Sequence, residues 1–158
     1  MEDKQHKVPI GIAQNIKQLK SAYETNKRKR KRGTDDFDAI AAAFKRIKNI
    51  LRQAVEKKFA LSKEFDFSLG SAEEKGLAAK AEFRRVDFNK DLDEKNYVGA
   101  LIWLSTLRPD VDAFFDHVMV MVEDEQLRAN RLALLQKLLN DFSTIADFSE
   151  IVTDKRGS

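Results

Sequence analysis

Glu123-Asp124-Glu125-Gln126-Leu127-Arg128-Ala129-Asn130-Arg131-Leu132-Ala133-Leu134-Leu135-Gln136-Lys137-Leu138-Leu139-Asn140-Asp141-Phe142 is the stretch whose reading decides the fold of this chain. Leu127, Leu134, Leu135, Leu138, Leu139, Phe142, Ile145 and Ala146 recur at three- and four-residue spacings, which lines them along one face of a helix. The pattern predicts a helix of about six turns over 124–148. Glu123, Asp124 and Glu125 suit its start, because carboxylates there face the partial positive charge of unpaired backbone N–H groups. Upstream, the apolar run Val118-Met119-Val120-Met121-Val122 reads as a buried connection into that start.

Working outward, Arg108-Pro109 stops the preceding helix, since Pro109 lacks an N–H and disfavours helical geometry in the residue before it. Pro109 also suits the first turn of a short helix over about 109–119, with Val111, Phe114, Phe115 and Val118 turned inward. A fourth helix starts at Asp93 or its neighbours and turns Tyr97, Ala100, Leu101, Leu104 and Leu107 inward. Ile102 and Trp103 widen that face, which predicts burial on more than one side. Ser71-Ala72-Glu73-Glu74 has capping-box spacing and opens a third helix running to about Asp91. Gly76 and a thin apolar face make it the weakest of the set. Phe59 to Gly70 mixes aromatics with charges and reads as a connection that tucks its rings under the bundle.

The second helix, capped within Thr34 to Asp36, buries Phe37, Ile40, Ala41, Phe44, Ile47, Leu51 and Val55 and carries Lys45, Lys48, Asn49 and Arg52 on its other side. A first helix covers about 9–25 through Ile12, Ile16, Leu19 and Tyr23. The run Lys27-Arg28-Lys29-Arg30-Lys31-Arg32 follows; six like charges repel, so it reads as an exposed connection closed by Gly33, with contact to an RNA backbone as the alternative. No strand pattern and no internal repeat occur in the sequence. The expected fold is all-α, a single bundle of five or six helices. Its expected organisation is an N-terminal helix and basic linker at 1–33, a helical domain at 34–152 and a tail at 153–158.

At 158 residues the chain is the size of one domain, and 42% hydrophobic with 35% charged residues suits a folded helical protein rather than a disordered one. Without cysteine there is no disulfide framework or thiolate metal site, which fits a reducing cytosol. No apolar run approaches the roughly 20 residues that span a bilayer, and Met1-Glu2-Asp3-Lys4 lacks the apolar core of a signal peptide. A soluble, cytoplasmic protein is expected, with no membrane partner. The formal charge of +3 comes from 29 basic and 26 acidic residues, yet six of the basic ones form the single run. Outside it the chain is slightly acidic, so a nucleic-acid surface has to come from local placement.

The catalytic inventory is nearly empty. His6 lies near the N-terminus, and His117 beside an apolar run reads as a half-buried packing residue rather than a base or ligand. Glycine is too scattered for a phosphate-cradling loop, and Asp35, Asp36, Asp38 and Glu123 to Glu125 sit where helix-start carboxylates belong, so no metal site is assigned. No catalytic residue is expected, and a stand-alone enzyme is the weakest functional reading.

Two runs carry a family resemblance. Val111-Asp112-Ala113-Phe114-Phe115-Asp116-His117-Val118-Met119-Val120-Met121-Val122, continued through Leu132, is similar to the C-terminal segment of the bacterial glycyl-tRNA synthetase beta subunit, and Ala146-Asp147-Phe148-Ser149 resembles the point where that family's chain ends. Phe37-Asp38-Ala39-Ile40-Ala41-Ala42-Ala43-Phe44-Lys45-Arg46-Ile47-Lys48-Asn49-Ile50-Leu51 resembles the run that opens its anticodon-binding domain, a helical module of the DALR type similar to that of arginyl-tRNA synthetases. The likeness is dense over 37–51 and 97–149, looser over 52–96 and absent over 1–33. It implies a domain that helps select tRNA(Gly) within an alpha2beta2 heterotetramer. ATP with Mg would serve the parent enzyme, with adenylate formation on the alpha subunit; nothing in this sequence resembles the ATP-binding motifs of either synthetase class, and no DNA partner is implied.

Recognition of an RNA loop needs cationic side chains for the backbone and planes and hydrogen-bonding groups for splayed bases. Lys45, Arg46, Lys48, Asn49 and Arg52 on the second helix fit that need, and Arg128, Asn130 and Arg131 on the last helix add to it. The alternative is a solvated outer face, with Arg128 and Arg131 paired to Glu123, Asp124 and Glu125. A glycine anticodon carries two cytosines, whose amino groups call for acceptors, so Asn49 first and Asn130 second are the expected base readers. A rival function is a helical docking module for the alpha subunit or the rest of the beta subunit, without base readout.

Overall fold

A computed structural model of the chain describes residues 17–22, 24–25 and 34–143. The expected turns around Ile12 and Ile16, Tyr23, the basic run and Gly33, the capping side chains of Thr34 to Asp36 and the tail all lie outside the described residues. Residues 17–22 and 24–25 are helical, and Leu19 is fully buried in the common core.

Five helices follow: α1 (Thr34–Glu56), α2 (Ala72–Asp93), α3 (Tyr97–Ser105), α4 (Arg108–His117) and α5 (Glu125–Asp141), with a short 3-10 turn at Phe67–Leu69. No strand occurs among the described residues. The all-α bundle expected from periodicity is therefore the observed architecture. α1 and α2 each pack against α3, α4 and α5, so the three later helices fill the space that the two long ones share.

The core of α1 is the predicted face, with Phe37, Ile40, Ala41, Phe44, Ile47 and Leu51 all buried. Val55 is a correction: it is 73% exposed, and Ala54 takes the inward position as the helix ends. α2 starts on the predicted capping box, Ser71 accepting from the Glu74 N–H while Glu74 accepts from the Ser71 N–H. It is also longer than expected and ends at Asp93, where the chain reverses through Lys95 in the left-handed region (φ 60°). Asn96 then caps α3 by accepting from the Gly99 N–H, so α3 starts later than Asp93. A β-carbon at Gly99 would lie 2.5 Å from both the Asn96 amide and the Asp91 carboxylate, which is why glycine occupies that turn.

α3 is buried through Ala100, Leu101 and Leu104, but Ile102 is 45% exposed, so the expected burial on further sides is only partial. Trp103 lies half-buried under the Arg84 guanidinium, 4.9 Å from its ring centroid. α4 has Pro109 in its first turn as expected and turns Val111 and Phe114 inward. His117 is exposed rather than half-buried; its Nδ1 lies 3.0 Å from the Ala113 carbonyl oxygen. α5 runs to Asp141, where Phe142 leaves helical geometry (φ −121°, ψ 38°); the predicted continuation over 144–148 lies outside the described residues. That departure seats the Phe142 ring edge-on to Phe44 and Phe88, at centroid distances of 6.2 and 5.2 Å, in the middle of the core.

Candidate nucleic-acid interface

The eight expected RNA-contact residues divide into two groups with different surroundings. On α1, the 3.6-residue repeat that turns Phe44, Ile47 and Leu51 inward turns Arg46, Asn49 and Arg52 to solvent, with Lys45 and Lys48 partly exposed beside them. Arg52 approaches the Asn49 side-chain oxygen at 3.5 Å, and Arg46 lies over the half-buried Phe115 ring of α4, 4.3 Å from its centroid. Lys45 and Lys48 each also take part in an interaction within the fold. The result is a solvent-facing strip of cations with one amide among them.

At the start of α5 the same residue types are turned inward. Asn130 has no exposed surface; its oxygen accepts from the Asp66 N–H at 2.7 Å and its amide donates to the Asp66 carbonyl at 3.0 Å. Both polar ends thus clamp the backbone of the 59–70 connection, and full burial keeps them from a base. Arg131 pairs through Nε with the fully buried carboxylate of Glu74, 3.2 Å away, and donates to the Met119 carbonyl. Arg128 lies over the Phe59 ring at 3.8 Å and donates to the carbonyls of Val122 and Glu123. The alternative pairing of Arg128 and Arg131 with the carboxylates of Glu123 to Glu125 is not what the structure holds. Asp124 instead caps α5, accepting from the N–H groups of Gln126 and Leu127.

These contacts tie three connections to α5: the 59–70 loop through Asn130, with the Ser62 N–H donating to the Ala129 carbonyl; the start of α2 through Arg131; and the 118–123 segment through both arginines. The loop's aromatics are only partly tucked away as expected. Phe65 is half-buried, whereas Phe67 is 51% exposed and stands edge-on to Phe65 at 5.0 Å. Together with α2 and the second half of α5 the loop walls a groove of about 800 Å³. Sequence reading did not foresee this groove; the exposed Phe83 of α2, a bulky apolar residue among charges, was the one local hint of it and was not singled out.

The Arg85 guanidinium, and after it Lys137, holds the Glu82 carboxyl below its usual range, and Asp141 and Glu82 raise Lys137. These four side chains form a partly exposed charge cluster that ties α2 to the end of α5. Among the described residues no helix is long and apolar enough to cross a membrane.

Comparison with known proteins agrees with this geometry. Residues 40–151 match the DALR anticodon binding domain. The chain is 53% identical over 126 residues to a glycine–tRNA ligase beta subunit of Acidobacterium capsulatum, covering 77% of the chain and 18% of that relative. It is 36% identical over 142 residues to one of Persephonella marina (90% of the chain, 19% of the relative) and 43% identical over 118 residues to one of Photobacterium profundum (75% and 17%). The chain thus spans about a fifth of the length of the curated relatives it matches. With an all-α bundle, a solvent-facing basic strip and a match over most of its length, the chain belongs to the DALR anticodon-binding domain family.

Proposed function

We propose that this domain binds tRNA(Gly) through the anticodon loop as part of a glycine–tRNA ligase beta subunit. The observation that carries the reading is the exposed α1 strip of Arg46, Asn49 and Arg52 within a DALR anticodon-binding domain. Arginine supplies backbone charge and a stacking plane, while Asn49 supplies an acceptor for a cytosine amino group. Lys45 and Lys48 border the strip, and the helical unit is taken as 34–152. Arg128 and Arg131 act by holding the loop and the start of α2 in place. Glycylation with ATP and Mg takes place elsewhere in the parent enzyme, an alpha2beta2 assembly with the alpha subunit in the cytoplasm.

The test is binding of this chain to transcribed tRNA(Gly) and to a copy with both anticodon cytosines replaced, each at two salt concentrations. Affinity that falls with salt and falls further for the altered copy is the expected result. Equal binding to both copies would leave phosphate contact alone and end the base-readout reading.

A further inference from the structure

The groove walled by the 59–70 loop, α2 and α5 lies outside the basic strip. Its apolar lining includes Leu61, Phe65 and Phe67 from the loop and Phe83 from α2, with Phe67 51% and Phe83 65% exposed. The amides of Gln136 and Asn140 lie along one side. Its volume, about 800 Å³, and its mainly apolar lining with a few polar groups are those of a small-ligand cleft. We infer that this groove is a nucleobase pocket, in which an anticodon-loop cytosine stacks on Phe67 or Phe83 and offers its Watson–Crick edge to Gln136 and Asn140. The inference rests on the tRNA-binding reading above and adds a second contact surface to it.

Three features favour a base over other occupants. First, the two rings are exposed while Phe59 and Phe65 of the same loop are half-buried, so stacking surface is open beside a loop clamped to α5 through Asn130. Second, Gln136 donates to the Asn140 oxygen at 3.0 Å. That bond leaves the Gln136 oxygen as an acceptor and the Asn140 amide as a donor at the groove. A cytosine edge presents an amino donor next to a ring-nitrogen acceptor, which is the complementary pair. Third, two of the carboxylates at the groove are paired: Glu82 and Asp141 are held by Arg85 and Lys137. Paired charges admit a neutral base, and the exposed Lys57 and Lys58 at the entrance to the loop suit its phosphates.

The test uses the whole chain and tRNA(Gly) transcripts carrying a fluorescent cytosine analogue at one or the other anticodon cytosine. Binding to the wild type is expected to quench one of the two analogues by stacking. Phe67→Ala or Phe83→Ala should abolish that quenching and weaken binding roughly 5- to 100-fold, while Phe83→Trp retains both. Asn140→Leu should shrink the affinity ratio between the matched and altered anticodons. If the wild type binds tRNA(Gly) and both alanine variants bind and quench as it does, the pocket assignment is overturned while the tRNA-binding reading stands. If the wild type does not bind tRNA at all, both fall. The two rings are largely solvent-exposed, so the alanine variants are expected to keep the wild-type fold, and an unchanged unfolding midpoint serves as the control.

Discussion

Two helices of this domain carry nearly the same polar residues to opposite ends. On α1, Arg46, Asn49 and Arg52 face solvent; on α5, Arg128, Asn130 and Arg131 face a loop, a buried carboxylate and two backbone connections. Residue type is shared, so the difference lies in what stands opposite. α1 turns its polar flank away from the bundle. The first turns of α5 are covered by the 59–70 loop and the start of α2, whose backbone groups and Glu74 need partners. An arginine or asparagine beside such groups becomes part of the architecture, and the same residue beside water remains available to a ligand.

The sharpest way to break this comparison is Arg131→Ala. It removes the charge partner of the fully buried Glu74, one of whose oxygens already lacks a hydrogen bond, and should destabilise the domain by about 3 kcal/mol in denaturant unfolding. Asn130→Ala comes next. Losing both bonds to the Asp66 backbone in a fully buried site should cost about 2 kcal/mol and loosen the 59–70 loop, seen as faster amide exchange at Asp66. If either variant left stability unchanged but abolished tRNA binding, the architectural role assigned to the α5 residue would be wrong.

Asn49→Ala is the mirror experiment. At an exposed site its stability should stay within about 0.5 kcal/mol of wild type, while the preference for the matched anticodon falls in a tRNA-binding titration. The smallest effect concerns the other end of α5, where Glu82 and Lys137 are exposed. Glu82 titrates below its ordinary value of 4.5 in the folded chain because Arg85 and Lys137 stabilise its charged form. Its contribution is therefore present above the ordinary glutamate range and lost as pH falls through the lowered folded value. Wild type and Glu82→Gln should differ slightly in unfolding midpoint at neutral pH and converge in acid. A difference that persists in acid would show that Glu82 acts by packing.

Much of this was legible in the written order of residues. Three- and four-residue spacing gave α1 and α5 their inward faces, Ser71 and Glu74 marked the start of α2, Pro109 the break before α4, and the resemblance in 37–51 and 111–132 pointed to the family that residues 40–151 match. These are local properties, set by helical period, capping and the missing N–H of proline, and a sequence states them directly. The role of Asn130 was not legible, because its partner lies 64 residues away, at Asp66. Neither was the break in helical geometry at Phe142, whose ring fits against Phe44 and Phe88, nor the groove, which exists only where loop, α2 and α5 meet. The sequence by itself determined which helices form and most of the inward faces of α1, α3, α4 and α5. Only the tertiary structure decided which polar residues face backbone and which face water, because that depends on what the packed neighbours leave unsatisfied.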